Sequence, residues 1–331
     1  MLARMSSTPT GLTWALIEEA RERIAGKVNV TPVLTSNTLD DLSGARLHFK
    51  CENFQKGGAF KARGATNAVF SLSESQARRG VATHSSGNHG AALARAAALR
   101  GIRAHVVMPD NTAHAKRAAV ARYGAQITWC APTQAAREST VRQVLAVTGA
   151  TLVHPYDDLV VMAGQATAAV EFLNAVPDLE VLLCPVGGGG LVAGSAVAAK
   201  SLKPAIRVIG VEPVGADDAA RSLRAGRIVP VENPNTIADG LRATVGERPL
   251  VEIRRLVEDI ITVTDESIVR AMRQLWDVMK IVVEPSGAVP YAALLDAPPA
   301  LRGRRVGIIL SGGNLDLDHL PWTTAGAATP A

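Results

Sequence analysis

The sequence predicts an α/β protein with two open, mostly parallel sheets covered by helices. Short runs rich in Val, Ile and Leu alternate with Ala-rich helical stretches from Val81 to Leu310. The alternation appears over 81–153 and again, on a longer scale, over 159–310. Continuous apolar runs of this kind are strands of parallel sheets buried on both faces, with the helices as crossovers and covers.

The first periodic segment, Trp14 to Ile24, places Trp14, Ile17, Ala20 and Ile24 on one helical face. An extended piece with Pro32 and a strand at Arg46–Lys50 follow. The first series then has strands at Val81–Thr83, Arg103–Met108, Gln126–Trp129 and Thr151–Val153, separated by helices at Asn88–Arg100, Ala113–Arg122 and Gln134–Val147. The second has strands at Val181–Val186, Arg207–Val211, Ile260–Val263 and Arg305–Leu310, with helices at Leu159–Ala175, Leu191–Ser201, Glu266–Lys280 and Ser286–Leu295. Two such sheets in 331 residues imply two domains with a cleft between them. No Pro/Ser-rich linker marks the boundary, and there is no internal repeat. After Leu317 the composition turns to Ala, Gly, Thr and Pro, as in a frayed tail.

Composition narrows the function. Hydrophobic residues make up 47% and aromatics only 4%, so Ala, Val, Leu and Ile must fill the core. The net charge of +5 is scattered among acids, with Arg302, Arg304 and Arg305 the densest group, which argues against nucleic acid as a partner. Cys51, Cys130 and Cys184 are far apart and lack ligand spacing, which points to free thiols in a reducing cytoplasm. Met1 to Thr10 has no apolar run of a secretory leader. Val181 to Ala199 is uncharged over the length of a membrane span, but Pro185 and four glycines interrupt it, so a strand, a turn and a packed helix are expected there and no membrane association.

Four segments carry the chemistry. Gly187-Gly188-Gly189-Gly190 joins an apolar strand to a helix, where free backbone N–H groups and the helix dipole suit a phosphate. Gly188, Gly190 and Ala193 also fit the loose dinucleotide fingerprint, with Glu212 where a ribose-binding acid would stand, so an NAD oxidoreductase shares this local pattern. Asn53 to Ala65 contains Lys61 between an aromatic and glycines, which alone reads as a surface lysine at a helix start. Thr83-His84-Ser85-Ser86-Gly87-Asn88-His89-Gly90 gathers hydroxyls, an amide and helix-terminal N–H groups suited to a carboxylate. Ser311-Gly312-Gly313-Asn314 follows a buried strand, so it and the tetraglycine should face one crevice beyond the strand ends.

Together, in this order, the segments resemble the fold-type II pyridoxal-phosphate enzymes of the serine racemase and serine/threonine dehydratase family, from Thr31-Pro32 to Asn314-Leu315. The resemblance implies a large cofactor-binding domain (1–79 and 158–331), a small domain (80–157), an active site in the cleft between them, and a cytoplasmic homodimer. It makes Lys61 the residue that carries pyridoxal 5'-phosphate and moves the substrate's α-proton. Phe60 would lie beside the ring, Asn88 would bond its phenolic oxygen and Ser311 its pyridine nitrogen. Gly187, Gly188, Gly189 and Gly190 would cradle the phosphate. Ser85, Ser86, Asn88 and His89 would grip the substrate carboxylate, with Ser86 as the opposite-face acid/base of a racemase. Glu212, the Ala216 carbonyl and Asp218 would hold a divalent cation such as Mg, Ca or Mn.

The activity so implied is β-elimination from a hydroxy-amino acid such as L-threonine or L-serine, giving a 2-keto acid and ammonia, with serine racemisation beside it. Two departures matter. Ala59 stands where the family has serine before Phe-Lys, which leaves the lysine chemistry intact. Ala243 stands where the racemases have a serine near the substrate, which opens the site to another β-hydroxy substrate such as L-threo-3-hydroxyaspartate or phenylserine. Arg137 matches a family arginine near the substrate and would favour an extra carboxylate. With the sequence ending soon after Asn314, the regulatory domain of biosynthetic threonine dehydratases, and isoleucine feedback, are not expected.

Overall fold

The computed structural model describes residues 11–322 apart from Ser86, Ala113 and 296–298. Among the described residues, ten strands form two sheets. They are β1 (Val33–Leu34), β2 (Arg46–Cys51), β3 (Val81–His84), β4 (Ala104–Pro109), β5 (Gln126–Cys130), β6 (Thr151–Leu152), β7 (Val181–Pro185), β8 (Arg207–Pro213), β9 (Asp259–Val263) and β10 (Arg305–Leu310). The larger sheet has the order β1-β2-β10-β7-β8-β9, and the smaller β5-β4-β3-β6. Only β1 runs antiparallel, pairing Val33 with Lys50; every other pairing is parallel.

Helices cover both faces of the large sheet, as its apolar strands require. On one face Ile17, Met162, Val192 and Ile253 meet in a core supplied by the helices Trp14–Ile24, Leu159–Ala175, Gly190–Leu202 and Glu247–Leu256. On the other, Leu39, Met272, Leu275 and Val289 come from Asn37–Ser43, Asp265–Met279 and Pro285–Leu295. The small sheet is covered by Lys61–Ser71 and Asn88–Arg100 on one side, where Val69, Leu93 and Ala97 pack on Val81, and by Gln134–Thr148 on the other.

Local chemistry sets the boundaries. Asp158 starts the 17-residue helix Leu159–Ala175 by accepting hydrogen bonds from the N–H groups of Val160 and Val161 at 2.7 and 3.2 Å. Gly101 ends Asn88–Arg100 in the left-handed conformation that glycine adopts without strain. The uncharged run from Val181 resolves into β7, the glycine turn and a helix buried on all sides. Among the described residues, no helix is long and apolar enough to cross a membrane.

The expected tail begins too early. Trp322 packs edge-on against Trp276 with ring centres 5.3 Å apart, and Arg273 lies over its face. The three cysteines are buried free thiols, as expected. Between the sheets, Asn88, just after β3, bonds Asn314, just after β10, at 3.0 Å, and the ion pair Lys116–Asp239 also crosses the gap.

Candidate active site

Lys61 opens its helix directly after Phe60, whose N–H bonds to the Ser311 carbonyl at 3.0 Å. Gly313 donates to the Gly58 carbonyl at 2.9 Å, Asn314 Nδ2 to the Gly57 carbonyl at 2.7 Å, and Ala59 bridges Gly312. The lysine loop is thus laid along the Ser-Gly-Gly-Asn segment, which leaves the end of β10. Lys61 Nζ donates to the Pro155 carbonyl at 2.7 Å and lies 5.0 Å from the Phe60 ring centre. It forms no ion pair with a carboxylate among the described residues, and burial lowers its pKa to about 8.

The tetraglycine follows β7, the neighbour of β10, so both segments lie at the carboxyl edge of adjacent strands. Among the described residues, no acceptor is bonded to the N–H groups of Gly187 to Gly190. They stand at the start of the helix Gly190–Leu202. Gly189 has φ +86°, a conformation costly for other residues. A methyl on Gly188 would fall inside the Tyr156 ring, and one on Gly187 would come within 2.8 Å of Leu241 Cα. Tyr156 follows Pro155, so one short strap touches both the amine and the glycine turn. Free N–H donors at a helix start and a nearby amine of lowered pKa are the groups that pyridoxal phosphate requires. The residues fit it.

The polar loop after β3 completes the crevice. Asn88 Nδ2 donates to Glu284 at 2.8 Å, and its Oδ1 accepts from Asn314 at 3.0 Å. His89 is buried and donates from Nε2 to the Val153 carbonyl at 3.3 Å, leaving Nδ1 without a partner among the described residues. Burial, then the nearby Lys61 charge, hold its pKa well below the ordinary value. Ser85 Oγ accepts from Gly87 N–H at 3.4 Å, and Ser86 lies outside the described residues. Arg137, in the first turn of Gln134–Thr148, reaches the same neighbourhood: after burial, its charge is the next cause that depresses the His84 pKa.

The other candidate group stands behind the glycine turn. Glu212 accepts from the N–H groups of Ala219 and Ala220 at 3.1 and 2.8 Å, and Asp218 from Val245 N–H at 2.7 Å. Both acids are fully buried, so they are not the solvated acids of an ordinary helix start. Burial and the facing Asp218 raise the Glu212 pKa to about 9, and burial raises that of Asp218 to about 6. Arg221, whose charge lowers the Asp218 pKa a little, is paired with Asp217 at 2.9 Å. Two buried carboxylates that, among the described residues, form no ion pair with a cationic side chain, beside the buried Ala216, are a donor set that fits a hard cation. Among the described residues, no cluster of three or more His, Cys, Asp or Glu does so. Glu212 is also fully buried, out of reach of a ribose, which removes the support for the dinucleotide reading.

Sequence patterns did not single out Glu284, His154 or Tyr156. Glu284 is buried, and desolvation followed by the field of Asp239 raises its pKa to about 8. The sequence signal was an acid inside the apolar run Ile281 to Pro285, and for the other two a His-Pro-Tyr turn directly after a strand.

The comparisons agree with this geometry. The model of the family described as "Pyridoxal-phosphate dependent enzyme" matches residues 24–312. A β-hydroxyaspartate dehydratase of Paracoccus denitrificans is 50% identical over 303 residues, covering 92% of this chain and 96% of that protein. The structure of maize serine racemase superposes with a TM-score of 0.92 at 45% identity, over 95% of this chain and 97% of that one. The processed form of threonine deaminase isoform 2 from Solanum lycopersicum does so at 0.86 and 30%, over 94% and 93%. The crevice and these likenesses lead to one conclusion: the chain belongs to the pyridoxal-phosphate-dependent enzymes, in the fold-type II group of serine racemases and serine/threonine dehydratases.

Proposed function

We propose that the chain converts a hydroxy-amino acid to a 2-keto acid and ammonia, water being lost from the β-carbon and then consumed when the resulting imine is hydrolysed, and that its preferred substrates are the 3-hydroxyaspartates, with serine and threonine turned over less well. When bound, pyridoxal phosphate acidifies the substrate's α-proton by drawing its electrons into the ring. Lys61 is the base at that carbon, and burial keeps a useful fraction of its amine neutral near pH 7. Asn88, held by Glu284 and Asn314, and Ser311 orient the ring; the N–H groups of Gly187 to Gly190 hold the phosphate; Ser85, Ser86, Asn88 and His89 meet the α-carboxylate.

One observation carries the choice of substrate: the charge of Arg137 acts on both His84 and Tyr156, alongside the opposite charge of Glu138, so a second carboxylate bound near them would find a guanidinium within reach. Ala243 offers no hydroxyl to a serine side chain. The relative from Paracoccus, whose name is β-hydroxyaspartate dehydratase, supports the same choice. A racemase activity through Ser86 accompanies it, and Ser86→Ala should lower racemisation by about a hundredfold while sparing elimination.

The reading extends to a divalent cation on Glu212, the Ala216 carbonyl and Asp218, and to a homodimer in the cytoplasm. Val245, whose N–H Asp218 holds, packs near Gly189, so the cation would brace the glycine turn. Added magnesium should raise the melting temperature of the wild type and leave that of Glu212→Gln unchanged.

The test incubates the yellow holoenzyme with both 3-hydroxyaspartate diastereomers, L-serine and L-threonine, and quantifies keto acid, ammonia and enantiomers. The expected order of kcat/KM places a 3-hydroxyaspartate first. Equal or better turnover of L-threonine overturns the substrate choice. A Lys61→Ala protein that keeps both visible absorbance and turnover overturns the mechanism.

A further inference from the structure

His154 lies where three parts of the site meet. It precedes Pro155, whose carbonyl holds the Lys61 amine, and Tyr156, whose ring covers Gly188. Its ring contacts His84 edge-on with centres 5.5 Å apart, and Tyr156 at 4.7 Å. His84 ends β3 and leads into the carboxylate-binding loop, and the charge of Arg137, opposed by that of Glu138, acts on it. His154 thus lies between His84 on one hand and, through Pro155, the catalytic amine on the other.

The hydrogen bonds of the ring fix its chemistry. The N–H groups of Asp157 and Tyr156 both point at Nδ1, at 2.9 and 3.4 Å. A backbone N–H can only donate, so Nδ1 must be an unprotonated acceptor. In the neutral ring the proton therefore sits on Nε2. The surroundings also keep the ring neutral: burial is the main cause, then the facing His84, with Lys61 and Arg248 acting the same way and Asp157 opposing them. Together these hold its pKa at about 4, far below neutral pH. A neutral imidazole of this kind is a poor proton donor, but it is a fixed hydrogen-bond donor that costs no reorganisation when a ligand arrives.

We propose that His154 is a specificity-determining residue, which donates a hydrogen bond from Nε2–H to the side-chain carboxylate of a dicarboxylic substrate and completes with Arg137 a subsite for it. The inference rests on the substrate reading given above and adds a second donor to it. Arg137 supplies charge from a half-exposed position, and His154 supplies direction from a rigid one. Because this contact is made to the bound substrate as well as during reaction, its removal should fall mainly on KM.

Two substitutions separate the donor from the scaffold. In His154→Asn the amide oxygen takes the place of Nδ1 and keeps the Asp157 N–H satisfied, while the Nε2 donor is lost. In His154→Gln the longer side chain returns an N–H to the Nε2 position. Holoenzymes are assayed for dehydration of 3-hydroxyaspartate and for exchange of the α-hydrogen of L-aspartate and L-alanine in deuterated water. The expected result is a rise in KM of about tenfold or more for both dicarboxylates in His154→Asn, with much of it restored in His154→Gln. L-alanine exchange should stay within about twofold of wild type, since it has no carboxylate to lose. Nitrogen-15 spectra of labelled histidine should show His154 as the Nε2–H tautomer at neutral pH, with or without the cofactor.

Equal losses on aspartate and alanine would show a structural role and overturn the proposal, as would an unchanged His154→Asn enzyme or an Nδ1–H tautomer. A wild type that acts on neither dicarboxylate overturns the substrate reading and this inference with it. A wild type that acts on them, with an indifferent His154→Asn variant, overturns this inference alone.

Discussion

Lys61, half-buried, and Glu284, buried, are ionisable groups whose neutral forms are favoured, and each can be followed by titration. Lys61 has its pKa lowered to about 8 by desolvation, so in cofactor-free protein its amine should react with an acylating reagent along a curve with a midpoint near that value. A midpoint at the ordinary lysine value would show that the amine is solvated. Glu284 shifts the other way, up to about 8. In the unfolded chain it ionises near its ordinary value of about 4.3, while the folded protein keeps the proton until about pH 8. Its penalty on stability therefore grows between those values and levels off above them. Glu284→Gln removes the penalty, so its urea midpoint should exceed that of wild type by more at about pH 8 than at about pH 5. Neither His154 nor Glu284 was legible in the sequence, and the reason is physical. The partners that define them, Asp157 and Lys61 for one, Asn88, Asp239 and Gly312 for the other, mostly lie far away along the chain. Lys61, Ser311 and the glycines stood out as candidates because each lies in a short motif of glycines, hydroxyls or an aromatic that is visible in the sequence itself.

At the scale of elements, the helix that begins with Lys61 is fixed by Arg63. Its guanidinium is fully buried and bonds Glu52 at 2.7 and 2.8 Å and Glu171 at 2.7 Å through two nitrogens, which ties the helix to the end of β2 and to Leu159–Ala175. Truncation leaves two carboxylates without this partner. Arg63→Ala should lower the unfolding free energy by about 3–5 kcal/mol, measured by urea titration. Gly188→Ala tests the turn instead. Its new methyl must displace the Tyr156 ring, so pyridoxal phosphate should bind about tenfold or more weakly in a protein that still unfolds cooperatively. Unchanged affinity would show that the ring moves freely. The long apolar elements were legible, and Leu159–Ala175 and Arg305–Leu310 have the expected bounds. The short helices Asn37–Ser43, Asp218–Ala225 and Glu247–Leu256 were not. They are brief and highly charged or polar, and they form because tertiary packing holds a few residues such as Leu39 and Ile253.

For the whole molecule, the larger sheet is assembled out of sequence order. β10 lies between β2 and β7, pairing Ile308 with Phe49 on one side and with Leu183 on the other. A ribosome therefore releases five strands of this sheet before the one that joins them. Until then β2 and β7 present bare, apolar edges, which are sites for misassembly between nascent chains. The same delay applies to Ser311, so the enzyme cannot close its cofactor crevice until its final strand has emerged.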